Sequence, residues 1–504
     1  MLYTQKAIKN STIIFVFTII ATLTGYLLRI YLSRSLSIED FGLFYAVNAF
    51  IAFFVTFQGF GTSTSLIKFL PEFILKKEAS KIKSSVFIVL IIQLVILSIF
   101  TAVVFAFSDS LAMILFKTIE ASMIIKILML SLVAGTFYLV FQFTFQGFQR
   151  MKAYALIEPV RIISVFILSS ILIYLGALGV AYAYLLAAII TSIVFFLPFV
   201  KIFKQHFGNS ILKIESRISD RGLWKKLILF GFPVFVGTIA SFIIGYIDTI
   251  MLSLFTNLKQ VALYQVALPT SQFLWVFAAT LAVVMVPMIS ELYAKKEKKI
   301  LEQNISFFAN ISLFIVVPFV VVLFTFPEII INLLFGSKYI LASEPLRILA
   351  IGSVFYTIFC LFQNSLIAIG KPKINTKIII FMSIINIILN LVLIPGFGIV
   401  GAAITSAISF LIGAITSYIF LRKFLIVRIS YKRLSKIFLS AVLSVITIFL
   451  IKGILIIDNQ WLEVVISVVP GAIVYIGVIF ITKAITREDF KSLRKLGIPL
   501  PKWI

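Results

Sequence analysis

Eight polar side chains sit where this sequence is otherwise apolar: Arg29, Gln142, Gln146, Glu158, Arg161, Asp248, Asn386 and Asn390. Glu158 and Arg161 are three apart, hence on one face of a helix, with Pro159 between them. A guanidinium is a rigid fork of donors that can grip a phosphate with two bonds at once. Arg161 is therefore the expected contact for a phosphate-bearing ligand near the inner end of its helix, steered by Glu158; a purely local ion pair is the competing reading. Gln142 with Gln146, and Asn386 with Asn390, are spaced i,i+4 and present two amides on one helix side. Paired amides suit a ligand rich in hydroxyls, and they equally suit hydrogen bonding between helices.

Asp248 stands in FGFPVFVGTIASFIIGYIDTIMLSLF. A charge at the centre of a membrane helix costs about 2.5 kcal/mol or more, so its presence asks for a function. Counted from a helix start near Leu227, Asp248 is about 32 Å along, and Arg29 is about 27 Å from a start near Ser11. Both lie near an outer surface, and an internal offset of 220 residues maps Arg29 onto Thr249, beside Asp248. The two are expected to form a gate pair between the halves of the chain. The alternatives are that each reaches interfacial water, or that Asp248 couples an ion.

These groups need a membrane scaffold. Of 504 residues, 62% are hydrophobic and 12% charged, against about a quarter charged in ordinary globular domains. One Cys (Cys360) and one His (His206) exclude a disulfide framework, a dense Cys/His metal site and a His-assisted nucleophile. No enzyme, metal or cofactor is expected, and an H+ or Na+ coupling ion is left open. With about 20 apolar residues per crossing, fourteen helices are predicted, starting near Ser11, Phe41, Ser85, Met123, Leu156, Leu178, Leu227, Val261, Gln303, Glu344, Asn375, Gly398, Ser435 and Leu462. The first apolar stretch is too long for a signal peptide and reads as a retained helix.

The net charge of +25 does not mark a nucleic-acid binder. With the N-terminus inside, 35 of the 44 Lys and Arg residues fall in cytoplasmic loops and ends, which is a topology signal. Both termini are thereby expected in the cytoplasm, in a multi-pass protein of the cytoplasmic membrane. Lys126, Arg347 and Lys452, near outer helix ends, are expected to snorkel to water. Pro233, Pro269, Pro287 and Pro318 should bend their helices.

GYLLRIYLS (25–33) matches GYIDTIMLS (245–253), FLPEF (69–73) faces ISELY (289–293), and LGALGVAYAYLLAAI (175–189) parallels PGFGIVGAAITSAIS (395–409), all near an offset of 220. Three matches in order mark a duplication. The expected division is a six-helix lobe over 1–203, a linker over 204–226, a second six-helix lobe over 227–424, and two further helices with a basic tail over 425–504. An even number of spans per unit makes the repeats parallel, a transporter architecture.

The stretch LFGSKYILASEPLRILAIGSVFYTIFCLFQNSLIAIGKPKINTKIIIFMSIINIILNLVLIPGFGIVGAAITSAIS (334–409), the "FGFP" and Asp of the seventh helix, "VALYQVA", and LSRSLSIEDFGLFYAV (32–47) together resemble the polysaccharide-transport (Wzx-type) flippases of the multidrug/oligosaccharidyl-lipid/polysaccharide exporter superfamily. The resemblance implies an all-α integral membrane fold, two parallel six-helix bundles forming a V, with two C-terminal helices added. It implies translocation of a polyprenyl-diphosphate-linked oligosaccharide from the inner to the outer leaflet, with membrane lipid and glycan-assembly proteins as partners of a monomer. A lipid II-type flippase and a cation-coupled multidrug antiporter are the alternatives within the superfamily.

Overall fold

The computed structural model describes residues 2–207, 220–427, 430–454 and 460–484. Among these residues every regular element is helical. Most of the expected linker and nearly all of the basic tail lie outside the described residues.

The helices fall into two compact units, Met1–Ala262 and Leu263–Ile504. The first contains α1 (Leu2–Ser35), α2 (Ile38–Phe57), α3 (Thr62–Leu75), α4 (Ala79–Phe116), α5 (Glu120–Gly147), α6 (Met151–Leu172), α7 (Gly176–Phe207) and α8 (Arg221–Phe255). α9 (Leu258–Gln272) straddles the division. The second unit continues with α10 (Trp275–Ala294), α11 (Lys298–Thr325), the short α12 (Pro327–Phe335), α13 (Ser343–Ala368), α14 (Pro372–Arg422), α15 (Tyr431–Ile454) and α16 (Gln460–Ile481).

Twelve described helical stretches are long and apolar enough to cross a membrane. Two of them, 55 residues over Met151–Gln205 and 51 over Pro372–Arg422, would reach about 80 Å if straight, over twice the hydrocarbon thickness of about 30 Å. Each is interrupted by a glycine. Gly176, after the 3₁₀ turn Ile173–Leu175, has φ 63° and ψ −144°, and Gly398 has φ 53° and ψ −128°. Both conformations are open essentially to glycine alone. The two arms of α14 pack antiparallel: a Cβ on Gly413 would collide with Met382 Sδ across the hairpin. Each long stretch therefore holds two crossings, which restores the expected fourteen.

Local chemistry explains several ends. Ser37 caps α2 by accepting from the Asp40 N–H at 2.9 Å, and Asp220 caps α8 by accepting from the Leu223 N–H at 3.1 Å. The helices begin earlier than the apolar runs because their first turns stand outside the hydrocarbon. The four expected prolines lie inside α8, α9, α10 and α11.

The repeat in the sequence begins its second half at α8, whereas packing groups α8 with the first unit. The cause is close backbone approach. A Cβ on Gly61, itself at φ 68°, would overlap the Gly231 carbonyl, and one on Gly42 would overlap the Leu258 carbonyl. Beside the first contact, Phe60 stacks on Phe235 with centroids 4.5 Å apart. The outer surfaces of the helices carry exposed Leu, Ile and Phe, such as Leu197 and Ile171, a face suited to lipid. In the second unit α16 packs on α11, where the Tyr475 hydroxyl donates to the Phe314 carbonyl at 3.3 Å, and on α15, where Ser444 Oγ donates to the Gly471 carbonyl at 2.8 Å.

Candidate functional site

The first unit contains a cavity of about 390 Å³ between α1, α5 and α6, lined among others by Thr18, Thr22, Gln142, Tyr154 and Glu158. Of its polar lining, Gln142 and Glu158 are residues that the sequence singled out. Arg161 Nε donates to Glu158 Oε2 at 3.0 Å, and Arg161 Nη2 makes a second, shorter bond to Glu158 Oε1. The i,i+3 ion pair therefore exists and is bidentate. Its carboxylate side is more open than its guanidinium side, with side-chain exposures of 45% and 21%.

The first unit holds a second arginine within its spans, on α1. Arg29 holds its guanidinium 3.9 Å above the Tyr45 ring, a cation–π contact. Tyr184 is fixed against α2 by Phe44, centroids 5.3 Å apart. The first unit thus holds two arginines within its spans, one paired with Glu158 and one over the Tyr45 ring. Guanidiniums donate to the oxygens of an anion, with a fork that fits carboxylate and phosphate.

The tyrosines were not among the expected residues, though a signal exists. The chain has 53 Phe and only 17 Tyr, so Phe is its default aromatic filler. A Tyr inside an apolar run marks a place where a hydroxyl is wanted.

The remaining predicted residues are distributed as follows. Gln146 lies one turn beyond Gln142 on α5, half-buried. Asn386 and Asn390 are both buried in the second unit, and Asn390 Nδ2 donates to Asn386 Oδ1 at 3.2 Å. The pair lies in the second unit and is not among the residues lining the cavity of the first. Asp248 is only 4% exposed and belongs with Arg29 to the first unit. The three cations expected to snorkel meet acceptors: Lys126 lies 3.9 Å from Asp109, Arg347 donates to Glu328 and to the Phe324 carbonyl, and Lys452 lies 3.5 Å from Glu463. Among the described residues no cluster of His, Cys, Asp and Glu is arranged to hold a metal ion.

Known proteins share this sequence and this fold. The profile of the family described as polysaccharide biosynthesis protein matches residues 7–293, and the MatE profile matches 233–392. The chain is 34% identical to the uncharacterized membrane protein MJ1068 of Methanocaldococcus jannaschii, over 98% of this chain and 99% of that protein. It is 25% identical to the "Probable low-salt glycan biosynthesis flippase Agl15" of Haloferax volcanii, over 56% of this chain and 60% of the relative. Among solved structures, the lipid II flippase MurJ in an inward closed conformation superposes with a TM-score of 0.69 at 18% identity, covering 92% of this chain and 97% of that one. An inward-facing multidrug resistance transporter of the MATE family gives 0.66 at 19% identity, over 80% and 94%. The fold is thus the one these transporters use, and the chain belongs to the polysaccharide biosynthesis protein family.

Proposed function

We propose that this protein carries a polyprenyl-diphosphate-linked oligosaccharide from the inner to the outer leaflet of the cytoplasmic membrane by alternating access, with both termini in the cytoplasm. The observation that carries the reading is the bidentate Glu158–Arg161 pair, whose Glu158 lines a partly polar cavity within the spans. A diphosphate is the ligand that can displace Glu158 from Arg161, since it offers the same fork of oxygens with more charge. Gln142 and Tyr154 on the same cavity suit the sugar hydroxyls next to that head group. The family description and the name of the Haloferax relative point in the same direction.

A multidrug antiporter of the same superfamily would present an available carboxylate to a cationic drug, whereas Glu158 is engaged by Arg161. The test uses vesicles containing the purified protein and a fluorescent polyprenyl-diphosphate oligosaccharide. Arg161→Gln should reduce transfer at least about tenfold, the worth of a lost charged hydrogen-bond pair, with protein abundance unchanged. Full transfer by that variant, or transfer of cationic dyes in place of the lipid, would refute the proposal.

A further inference from the structure

The cavity of the first unit changes in character along its length. Heights follow from about 1.5 Å per residue, counted from the turn between Gly147 and Met151 that joins α5 to α6. Tyr154 stands about 5 Å and Gln142 about 8 Å above that turn, Glu158 about 11 Å, and Ile162 about 17 Å. On α1 the Cβ position of Gly25 is 3.7 Å from Ile162 Cγ1, which fixes the level of the two helices against each other. Phe17, eight residues before Gly25, therefore comes about 12 Å lower, level with Tyr154. All six residues line the cavity. Its lower end thus joins an amide, a phenol and an aromatic face, its middle is the Glu158–Arg161 pair, and its upper end is apolar.

The hydrogen bonding separates these groups further. Glu158 is engaged by Arg161, whereas neither the Gln142 amide nor the Tyr154 hydroxyl bonds to any described residue. Both side chains are half-buried, so their donors and acceptors are available to whatever fills the cavity. A glutamine amide carries one acceptor oxygen and two N–H donors in a single plane. A sugar hydroxyl meets one of these at a time. An acetamido substituent presents an N–H and a C=O of its own in one plane, so donor and acceptor of Gln142 are met together, and the acyl methyl has the Phe17 ring at the same level. A site built for such a pairing rejects the analogue that lacks it, because its own polar groups are then left without partners.

We propose that Gln142 and Tyr154 form the subsite for the sugar joined directly to the diphosphate, and that Gln142 selects a 2-acetamido sugar over its 2-hydroxy counterpart. The order along the cavity is that of the amphiphile itself: sugar toward the α5–α6 turn, diphosphate at the ion pair, and the first isoprene units toward Ile162 and Gly25. The volume of about 390 Å³ is near the lower end of the range of about 300–1,000 Å³ for ligand sites. It therefore admits the head group and its first sugar, and the rest of the oligosaccharide stays outside the selecting contacts. The inference rests on the lipid-linked reading above and adds to it the class of sugar.

The full-length protein in phosphatidylcholine vesicles is assayed for transfer of two fluorescent farnesyl diphosphates, one carrying N-acetylglucosamine and the other glucose. The wild-type protein is expected to move the acetamido probe about tenfold faster or more. Gln142→Leu should slow that probe until the two rates agree within about twofold. Tyr154→Phe removes a hydroxyl contact that both sugars share, so it should slow both by a similar factor of about three to ten and keep the preference. Both rates come from the same protein sample, so a loss of folded protein lowers them together and cancels in the ratio. Equal transfer of the two probes by the wild-type protein, or a preference that survives Gln142→Leu, would overturn the selection while leaving the lipid-linked reading standing. Transfer of neither probe by the wild-type protein would overturn both.

Discussion

The interiors of the two units use one layout with opposite chemistry. Tyr45 and Tyr184 of the first unit correspond, at offsets of 219 and 222, to Tyr264 and Ser406 of the second. In the second unit the Tyr264 hydroxyl and Ser406 Oγ lie 3.4 Å apart in a fully buried, neutral contact. In the first the equivalent Tyr45 lies under a guanidinium. Where the first unit has Arg161, an offset of 221 reaches Met382, which is buried against the opposite arm of its hairpin. Nearby, Trp275 stacks on Tyr356 at 3.9 Å and donates its indole N–H to Ser353 Oγ at 3.3 Å. The comparison teaches that a duplicated backbone can stay alike in its turns while only one copy carries charge. The other packs as a neutral core in which buried amides and hydroxyls sit among apolar side chains.

The strongest way to break this comparison is to move the charge. Met382→Arg should lower stability by about 3–5 kcal/mol, since it places an unpaired cation in a packed interior; thermal unfolding of the detergent-solubilised protein measures it. Near-wild-type stability would mean that the second interior is as accommodating to charge as the first. A middle-sized effect tests whether the turns are equivalent. Gly176→Ala and Gly398→Ala should each cost about 1–3 kcal/mol, because alanine cannot relax at positive φ with strongly negative ψ. Costs differing by more than about 1 kcal/mol would show that the two hairpins carry unequal strain. The smallest effect concerns the paired tyrosines. Tyr264→Phe should cost only about 0.5–1.5 kcal/mol, one neutral hydrogen bond, and leave transport rate intact. A transport defect in that variant would mean that the second unit also takes part in the route.

Much of this fold was readable because hydrocarbon imposes a length on every crossing. The fourteen apolar runs follow from that length, and both glycine hairpins fell between predicted spans. The break between α2 and α3 was missed: Gly59 and Gly61 are a local breaker signal, but what places the turn is the approach of Gly61 to the Gly231 carbonyl. No local pattern encodes a contact 170 residues away. The site divides in the same manner. Glu158 with Arg161 is a local i,i+3 relation, so spacing alone revealed it. The Tyr184–Phe44 contact exists only because α7 packs beside α2, and the burial of Asn386 and Asn390 depends on neighbours that their own helix does not specify.

The Gly176 turn also bears on how the protein is made and probed. Between Leu172 and the first turn of α7 there is a single 3₁₀ turn, so α6 and α7 have almost no loop at that membrane face. Such a pair enters the bilayer as a helical hairpin, with both arms committed together, because hydrogen-bonded apolar segments are what lipid accepts. A protease or an antibody would find nothing to grip there. An epitope tag inserted at Gly176 would have to pry apart a joint rather than lengthen a loop, so topology mapping should place its reporters elsewhere in the chain.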